Sequence, residues 1–378
     1  MEEPAIEEGD NHRDVEVAPA LISVHPDHKF IVVSIGSDLR VFDLQGGCSV
    51  TLVDDSSGPL HKDSIRAIRF GAEGKLFVSA GDDKLVKIWN ANSWHCISTV
   101  CSEKRVSAVA ISKDGLFVCF ADKFGVVWAL NLDGLMKIKF WLIRKQHQFL
   151  LITVASLLAW FVSCLAFICA PDYPEGFLVS GSGDSTVRLW DITSGSLLDT
   201  CEVGSQAGFL ESNGRGEEHY SAVIDLCTTP DGIMLLNCNI SAKSLSIAKV
   251  VSITGGSFIP TSIGTASWAE FLWMVTGVST LHGLDSHSLA RVRVISGFRI
   301  SSADSVEHEP TTLEDDEIPG GEKLLEKLQG SVSIENKVFS AAAEAVKMAM
   351  CNLLIKKQYS ADKREFRKRT RNDKKIKQ

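Results

Sequence analysis

The chain has 378 residues, a formal net charge of −8, and 45% hydrophobic against 23% charged residues, a globular balance that excludes a wholly disordered, collagen-like or small disulfide-stapled protein. The negative charge excludes a uniformly basic nucleic-acid surface, so polyanion binding would need a local patch. Ten cysteines occur singly, with no C-x-x-C pair; they read as small buried hydrophobes of a reducing compartment.

Residues 1–16 are acidic, with Glu2, Glu3, Glu7, Glu8, Asp10, Asp14 and Glu16 against Arg13. They read as a disordered N-terminus and lack the basic start and apolar stretch of a secretory signal. From residue 17 the chain repeats itself. Ile65-x-x-Ile68-x-Phe70, Val106-x-x-Val109-x-Ile111, Val162-x-x-Leu165-x-Phe167 and Val223-x-x-Leu226-x-Thr228 share one spacing, each leading into a turn. Apolar runs follow the first three turns at Leu76–Ala80, Leu116–Phe120 and Phe177–Ser180, as expected for buried strands. A second turn precedes a further strand: Asp83 to Trp89, Asp122 to Trp128 and Asp184 to Trp190, the Asp six residues before the Trp each time. Equal spacing assigns Asp83, Asp122 and Asp184 to equivalent turn corners. A first copy runs from Leu21 to Asp43, with Phe42 in the Trp place.

Ser180-Gly-Ser-Gly-Asp184 with Leu189-Trp190-Asp191, and more loosely Ile88-Trp89-Asn90, resemble WD40 repeats. That resemblance implies an all-β propeller, in which blades that cannot bury both faces alone stack into a ring. The propeller is expected over 17–303. After Ala248 the signature fades, although Phe271–Val275 and Arg291–Ile295 still read as strands.

Asp83 to Asp122 is 39 residues, one blade; Asp122 to Asp184 is 62. An atypical segment over 131–160 therefore truncates or replaces a blade. It includes part of the uncharged run Phe149–Ala170, long enough on its face to cross a bilayer, which takes ~20 apolar residues. The repeat register claims Phe161–Phe167 as a strand, which argues against a membrane span.

Residues 304–321 are acidic and end in Pro319-Gly-Gly321, a linker pattern. Residues 322–355 have helical spacing, and a C-terminal helix is expected to pack on the propeller. The tail, 356–378, carries eleven basic against three acidic residues, including Lys363, Arg364, Arg367, Lys368, Arg369, Arg371, Lys374 and Lys375. Such a block suits nuclear import or nucleic-acid backbone contact.

No catalytic constellation, cofactor loop or metal set emerges. His25 and His61 read as structural, and Gly181-Ser-Gly183 lacks the spacing of a phosphate loop. Asp83, Asp122 and Asp184 read as turn caps together with the repeat residues Trp89, Trp128, Trp190 and Asp191. More specifically, Ala121-Asp-Lys-Phe-Gly125, Phe161-Val-Ser-Cys-Leu165, Phe271-Leu-Trp-Met-Val275, Arg291-Val-Arg-Val294 and the basic tail resemble the non-catalytic WD-repeat subunits of tRNA (guanine-N7-)-methyltransferase, the plant ones above all. The resemblance implies a nuclear, non-enzymatic scaffold, without cofactor, that pairs with the catalytic subunit and holds it on tRNA. Members of that family carry an additional repeat with a basic, partner-facing strand where the apolar segment stands here, which implies weaker folding or partner binding. A generic WD adaptor, such as a ubiquitin-ligase substrate receptor, is the alternative.

Overall fold

Each repeat becomes an antiparallel sheet in the computed structural model, which describes residues 18–55, 58–122, 126–132, 162–170, 173–183, 185–191, 194–203, 223–226, 228–229, 232–233, 236–239, 243–247, 259–266, 271–279, 281, 289–297, 310–329, 338 and 340–348. The first sheet holds β1 (Leu21–Val24), β2 (Phe30–Ile35), β3 (Asp38–Asp43) and β4 (Cys48–Val50). The second holds β5 (Ile65–Gly71), β6 (Leu76–Gly81), β7 (Leu85–Asn90) and β8 (Cys96–Cys101). In the third are β9 (Val106–Ile111), β10 (Phe117–Asp122) and β11 (Val127–Asn131), and in the fourth β12 (Val162–Ala170), β13 (Tyr173–Ser182), β14 (Thr186–Asp191) and β15 (Leu197–Glu202). The fifth has β16 (Thr228–Thr229), β17 (Gly232–Ile233), β18 (Leu236–Asn239) and β19 (Ser244–Ile247); the sixth has β20 (Pro260–Thr265), β21 (Phe271–Val278), β22 (Leu289–Ser296) and β23 (Thr311–Thr312).

The described residues thus make five four-stranded blades and one of three strands. The third blade, with three strands among the described residues, is followed by the atypical segment, of which residues 133–160 lie outside the described residues. The uncharged run ends as β12, so Val162–Ala170 is strand, in the register the repeat anticipated. Among the described residues no helix is long and apolar enough to cross a membrane.

Alternate side chains of the middle strands are buried on both faces, which is why the strands read as continuous apolar runs. Each face meets the next blade. Leu21, Val32 and Val41 of the first pack on Ile68, Phe77 and Trp89 of the second. Val78, Val86 and Ile88 meet Val109, Phe120 and Leu130 of the third. Ala110 and Val127 meet Leu165 and Trp190 of the fourth, which in turn covers Leu226 and Leu245 of the fifth. Trp273 and Val294 of the sixth return to Ile22 and Phe42 of the first, closing the ring.

Hydroxyls stitch the inner strands together. Phe70 N donates to Ser23 Oγ at 3.1 Å, Ser107 Oγ donates to Val162 O at 3.0 Å, and Ser262 Oγ donates to Ile22 O at 3.3 Å. At the seam Ala20 N donates to Gly277 O (3.1 Å) and Ser279 N to Ala18 O (2.7 Å). Gly74 shows what the turns require. Its φ is +85°, and a Cβ there would stand 2.2 Å from His25 Nε2. That nitrogen donates to Gly74 O at 3.1 Å, while Nδ1 accepts from Asp27 N at 3.0 Å, which fixes the tautomer. Burial holds the His25 imidazole below its ordinary pKa.

Two expectations change in detail. Val223–Leu226, expected as an inner strand, has no ladder of its own, because its polar groups bond to side chains and to Ser182 O instead. Part of the stretch expected as a linker serves the sixth blade: Thr311 and Thr312 pair with Ser296 and Ile295, and Leu313 N donates to Val294 O at 2.8 Å. The rest of that blade's edge is covered by helix α1 (Gly321–Gln329), whose buried Leu324, Leu325 and Leu328 face the core and whose Gln329 Oε1 accepts from Val292 N at 2.8 Å. A second helical stretch, residues 340–348, buries Ala342 and Val346 against Val278 and Leu289.

Candidate interaction surface

A connected polar cluster lies inside the second blade. Trp89 Nε1 donates to Ser79 Oγ (3.0 Å), His61 Nε2 lies 2.8 Å from the same oxygen, and His61 Nδ1 lies 2.8 Å from Asp83 Oδ2. Asp83 also accepts from Lys62 N and Leu85 N, each at 3.1 Å. Burial pushes the Asp83 carboxyl up, but the bonds from His61 and the two amides outweigh it and leave the pKa below the ordinary value.

Ser, His and Asp in line have the connectivity of a nucleophilic triad. Access decides against that use. Ser79 and Trp89 are 0% exposed and His61 is 1% exposed, with the indole seated on the hydroxyl a substrate would have to reach. The cluster is a fastener. The fourth blade repeats part of it, with Trp190 Nε1 donating to Ser180 Oγ at 2.9 Å.

The third blade departs from the equal-spacing assignment. Asp122 pairs with Val106 as Gly81 pairs with Ile65, two places before the Asp83 position. Phe120 pairs with Trp128 where Ser79 pairs with Lys87 and Ser180 with Arg188. Leu130 therefore occupies the Trp89 place, and Phe120 the Ser79 place. A shift of two residues keeps every side chain on its own face, so alternation alone cannot detect it. The usable signal was the strand's last residue: Trp89-Asn90 and Trp190-Asp191 align with Leu130-Asn131. Asp43, Asn90 and Asp191 at this place cap the next turn. Asp43 Oδ1 accepts from Gln45 N and Gly46 N, Asn90 Oδ1 from Asn92 N and Ser93 N, and Asp191 Oδ1 from Ser194 N at 3.4 Å. Asp122 is itself a turn cap, accepting from Val126 N at 3.2 Å.

Three places before the cap, four blades carry a cation: Arg40, Lys87, Arg188 and Arg293. Sequence reasoning missed this belt, because two of the acids that meet it, Asp54 and Asp315, come from other segments of the chain. Arg40 Nε donates to Asp38 at 2.8 Å, Lys87 pairs with Asp54, and Arg293 lies 3.6 Å from Asp315. Trp128 fills this place in the third blade, stacked on Phe120 at 6.4 Å.

Outside these fasteners the described surface offers a mixed-charge rim. Arg66 and Arg105 meet Asp82 at 2.7 and 3.9 Å across the junction of the second and third blades. Lys62, Lys84 and Lys104 stand exposed on the same loops, as do Asp63 and Glu103. A polar cleft of about 590 Å³ runs between the first blade and α1, lined by Asp38, Arg40, Lys323, Glu326 and Lys327 among others. Among the described residues no group of three or more His, Cys, Asp or Glu could hold a metal. Asp184 and the tail residues Lys363, Arg364, Arg367, Lys368, Arg369, Arg371, Lys374 and Lys375 lie outside the described residues. Of the cysteines, Cys119, Cys164 and Cys201 are buried, while Cys48 and Cys101 are exposed, against expectation: both lie on outer strands, which no further strand covers along their length.

These features define a WD-repeat β-propeller. The family model for the WD domain, G-beta repeat, matches residues 57–90 and 154–191. The chain is similar to the tRNA (guanine-N(7)-)-methyltransferase non-catalytic subunit wdr4 of Dictyostelium discoideum, to which it is 23% identical over 240 residues, covering 51% of each. It is 26% identical over 169 residues to WDR4 of Mus musculus, covering 37% of this chain and 41% of the relative, and 23% identical over 310 residues to wdr4 of Xenopus laevis, covering 70% and 76%. The chain spans about half the length of the first two of these relatives. Among solved structures, that of U3-55K aligns over 70% of this chain and 90% of its own, with a TM-score of 0.45 and 16% identity.

Proposed function

We propose that this chain is a non-catalytic subunit that binds the catalytic subunit of a tRNA N7-guanosine methyltransferase and steadies it on tRNA. The relatives bearing that name are the observation that carries the reading. The described polar clusters support it as well, since Asp83, His61 and Ser79 are engaged in holding a blade and are sealed from solvent. A propeller of this kind contributes by orientation, which lowers a barrier by positioning groups that lie elsewhere. The mixed-charge rim suits a polar partner. The tail, outside the described residues, supplies the cations for phosphate contact or nuclear import.

Co-expression with a tRNA (guanine-N7-)-methyltransferase catalytic subunit tests this. The expected result is a co-purifying pair that holds tRNA at low salt and forms more N7-methylguanosine than the catalytic subunit alone. Recovery of ubiquitin-ligase scaffold proteins without a methyltransferase would favour the adaptor role instead. Deleting residues 356–378 should flatten the salt dependence of tRNA binding and weaken nuclear retention; unchanged slope and location would remove the tail from the mechanism.

A further inference from the structure

Arg69 lies on β5, the inner strand of the second blade, but its guanidinium leaves that blade. Nη2 donates to Asp225 Oδ1 and, at 3.3 Å, to Leu226 O, while Nη1 stays with Ile68 O at 2.9 Å. Asp225 belongs to the fifth blade. Its Oδ1 also accepts from Leu226 N at 2.8 Å, and its Oδ2 accepts from Ser262 Oγ at 2.6 Å and Ile263 N at 2.9 Å, both on β20 of the sixth blade. One carboxylate thus takes four donors, about the full capacity of its two oxygens. The Asp225 side chain is 7% exposed and that of Arg69 is 18% exposed.

The second and fifth blades are not neighbours. The third and fourth separate them on one side of the ring, the sixth and first on the other, so the contact runs across the ring's centre. It also falls on the segment that most needs it. Val223–Leu226 has no ladder with β12, and its ties to the fourth blade are Ser163 Oγ donating to Val223 O and Val223 N donating to Ser182 O at 3.2 Å. The other inner strands contact a neighbouring inner strand along several residues. This segment relies on side chains, and Asp225 supplies the most bonds.

We propose that Asp225 is a latch that locks the fifth blade into the ring from across the centre, with Arg69 as its keeper and β20 as the wall it bears on. Freeing the carboxylate would release Val223–Leu226 and β20 while leaving the second blade folded.

Amide exchange on the full-length chain tests this, comparing the wild type with Asp225→Asn, Arg69→Met and the double variant. Val223, Leu226 and Ile263 should exchange at least tenfold faster in each single variant. Val78 and Ile88, on the ladders of β6 and β7, should stay at the wild-type rate. The double variant should exchange no more than about twofold faster than the faster single one, because either change alone opens the same latch. Unchanged Ile263 exchange in both single variants would overturn the proposal, as would multiplicative effects in the double variant. Equal acceleration of Val78 and Ile88 would also overturn it, since the pair would then support the whole ring. Should Asp225→Asn fail to fold, Arg69→Met carries the test alone.

Discussion

The Trp89 indole donates to Ser79 Oγ at 3.0 Å while His61 Nε2 lies 2.8 Å from the same atom, so one buried hydroxyl serves two rings. Ser79→Ala strands both ring nitrogens in the interior. Each buried polar atom left unpaired costs about 1–3 kcal/mol, so two give a loss of about 2–6 kcal/mol. Ser180→Ala removes the single bond to Trp190 and should cost about half as much. Urea unfolding should rank the midpoints wild type, Ser180→Ala, Ser79→Ala. Equal midpoints for the two variants would mean that His61 gains nothing from Ser79.

Asp83 gives the second blade a sensitivity to acid. Burial alone would raise its pKa, but the bonds from His61, Leu85 N and Lys62 N leave it below the ordinary value. A carboxyl whose folded pKa lies below its unfolded one contributes stability above the unfolded pKa, about 3.9, and loses it as pH falls through the folded value. The gap in stability between wild type and Asp83→Asn should therefore be constant from about pH 7 to 5 and narrow below about pH 4. Chemical denaturation at fixed pH values measures it. A gap that widens on acidification would reverse the assignment.

Two tryptophans with the same spacing from an aspartate should respond unequally to Phe. Trp89 is fully buried with its N–H bonded, and Trp89→Phe leaves Ser79 without its donor and the site short of volume, a loss of about 2–4 kcal/mol. Trp128 stacks on Phe120, and its buried Nε1 has no partner. Trp128→Phe keeps the stacking and removes a stranded donor, so stability should change by less than about 1 kcal/mol. Thermal unfolding of both variants distinguishes them. A loss at Trp128 as large as at Trp89 would mean the two indoles do the same work.

The contrast between Trp89 and Trp128 also marks where sequence stops informing. The repeats and most of their strands were legible, because two-sided burial forces apolar runs such as Leu178–Val179 and turns demand Gly, Asp and Asn at fixed places. Register within a blade was not legible, since a slip of two residues conserves the inward face. Nor were Arg69 and Asp225, which are 156 residues apart in sequence. Nothing local to either predicts a partner across a ring. Such pairings follow from ring closure, which no window of sequence contains.

The cysteines give the last prediction, because burial separates them sharply. Burial pushes the Cys119 and Cys164 thiols up to about 12, so at neutral pH neither offers the thiolate that reacts. Cys48 and Cys101 are exposed and should alkylate fastest. Cys96, partly buried and with its thiol raised by burial before the bond to Thr99 Oγ1 pulls back, should follow more slowly. Brief treatment of the native protein with a maleimide, then peptide mass spectrometry, should find the label on Cys48 and Cys101 and almost none on Cys119 or Cys164 until denaturant is added. In the Asp225→Asn variant Cys164 should begin to label, since it lies beside Val223 at the latch, while Cys119 in the third blade stays protected. Labelling of Cys119 at the same rate would mean the ring loosens as a whole, not at the fifth blade.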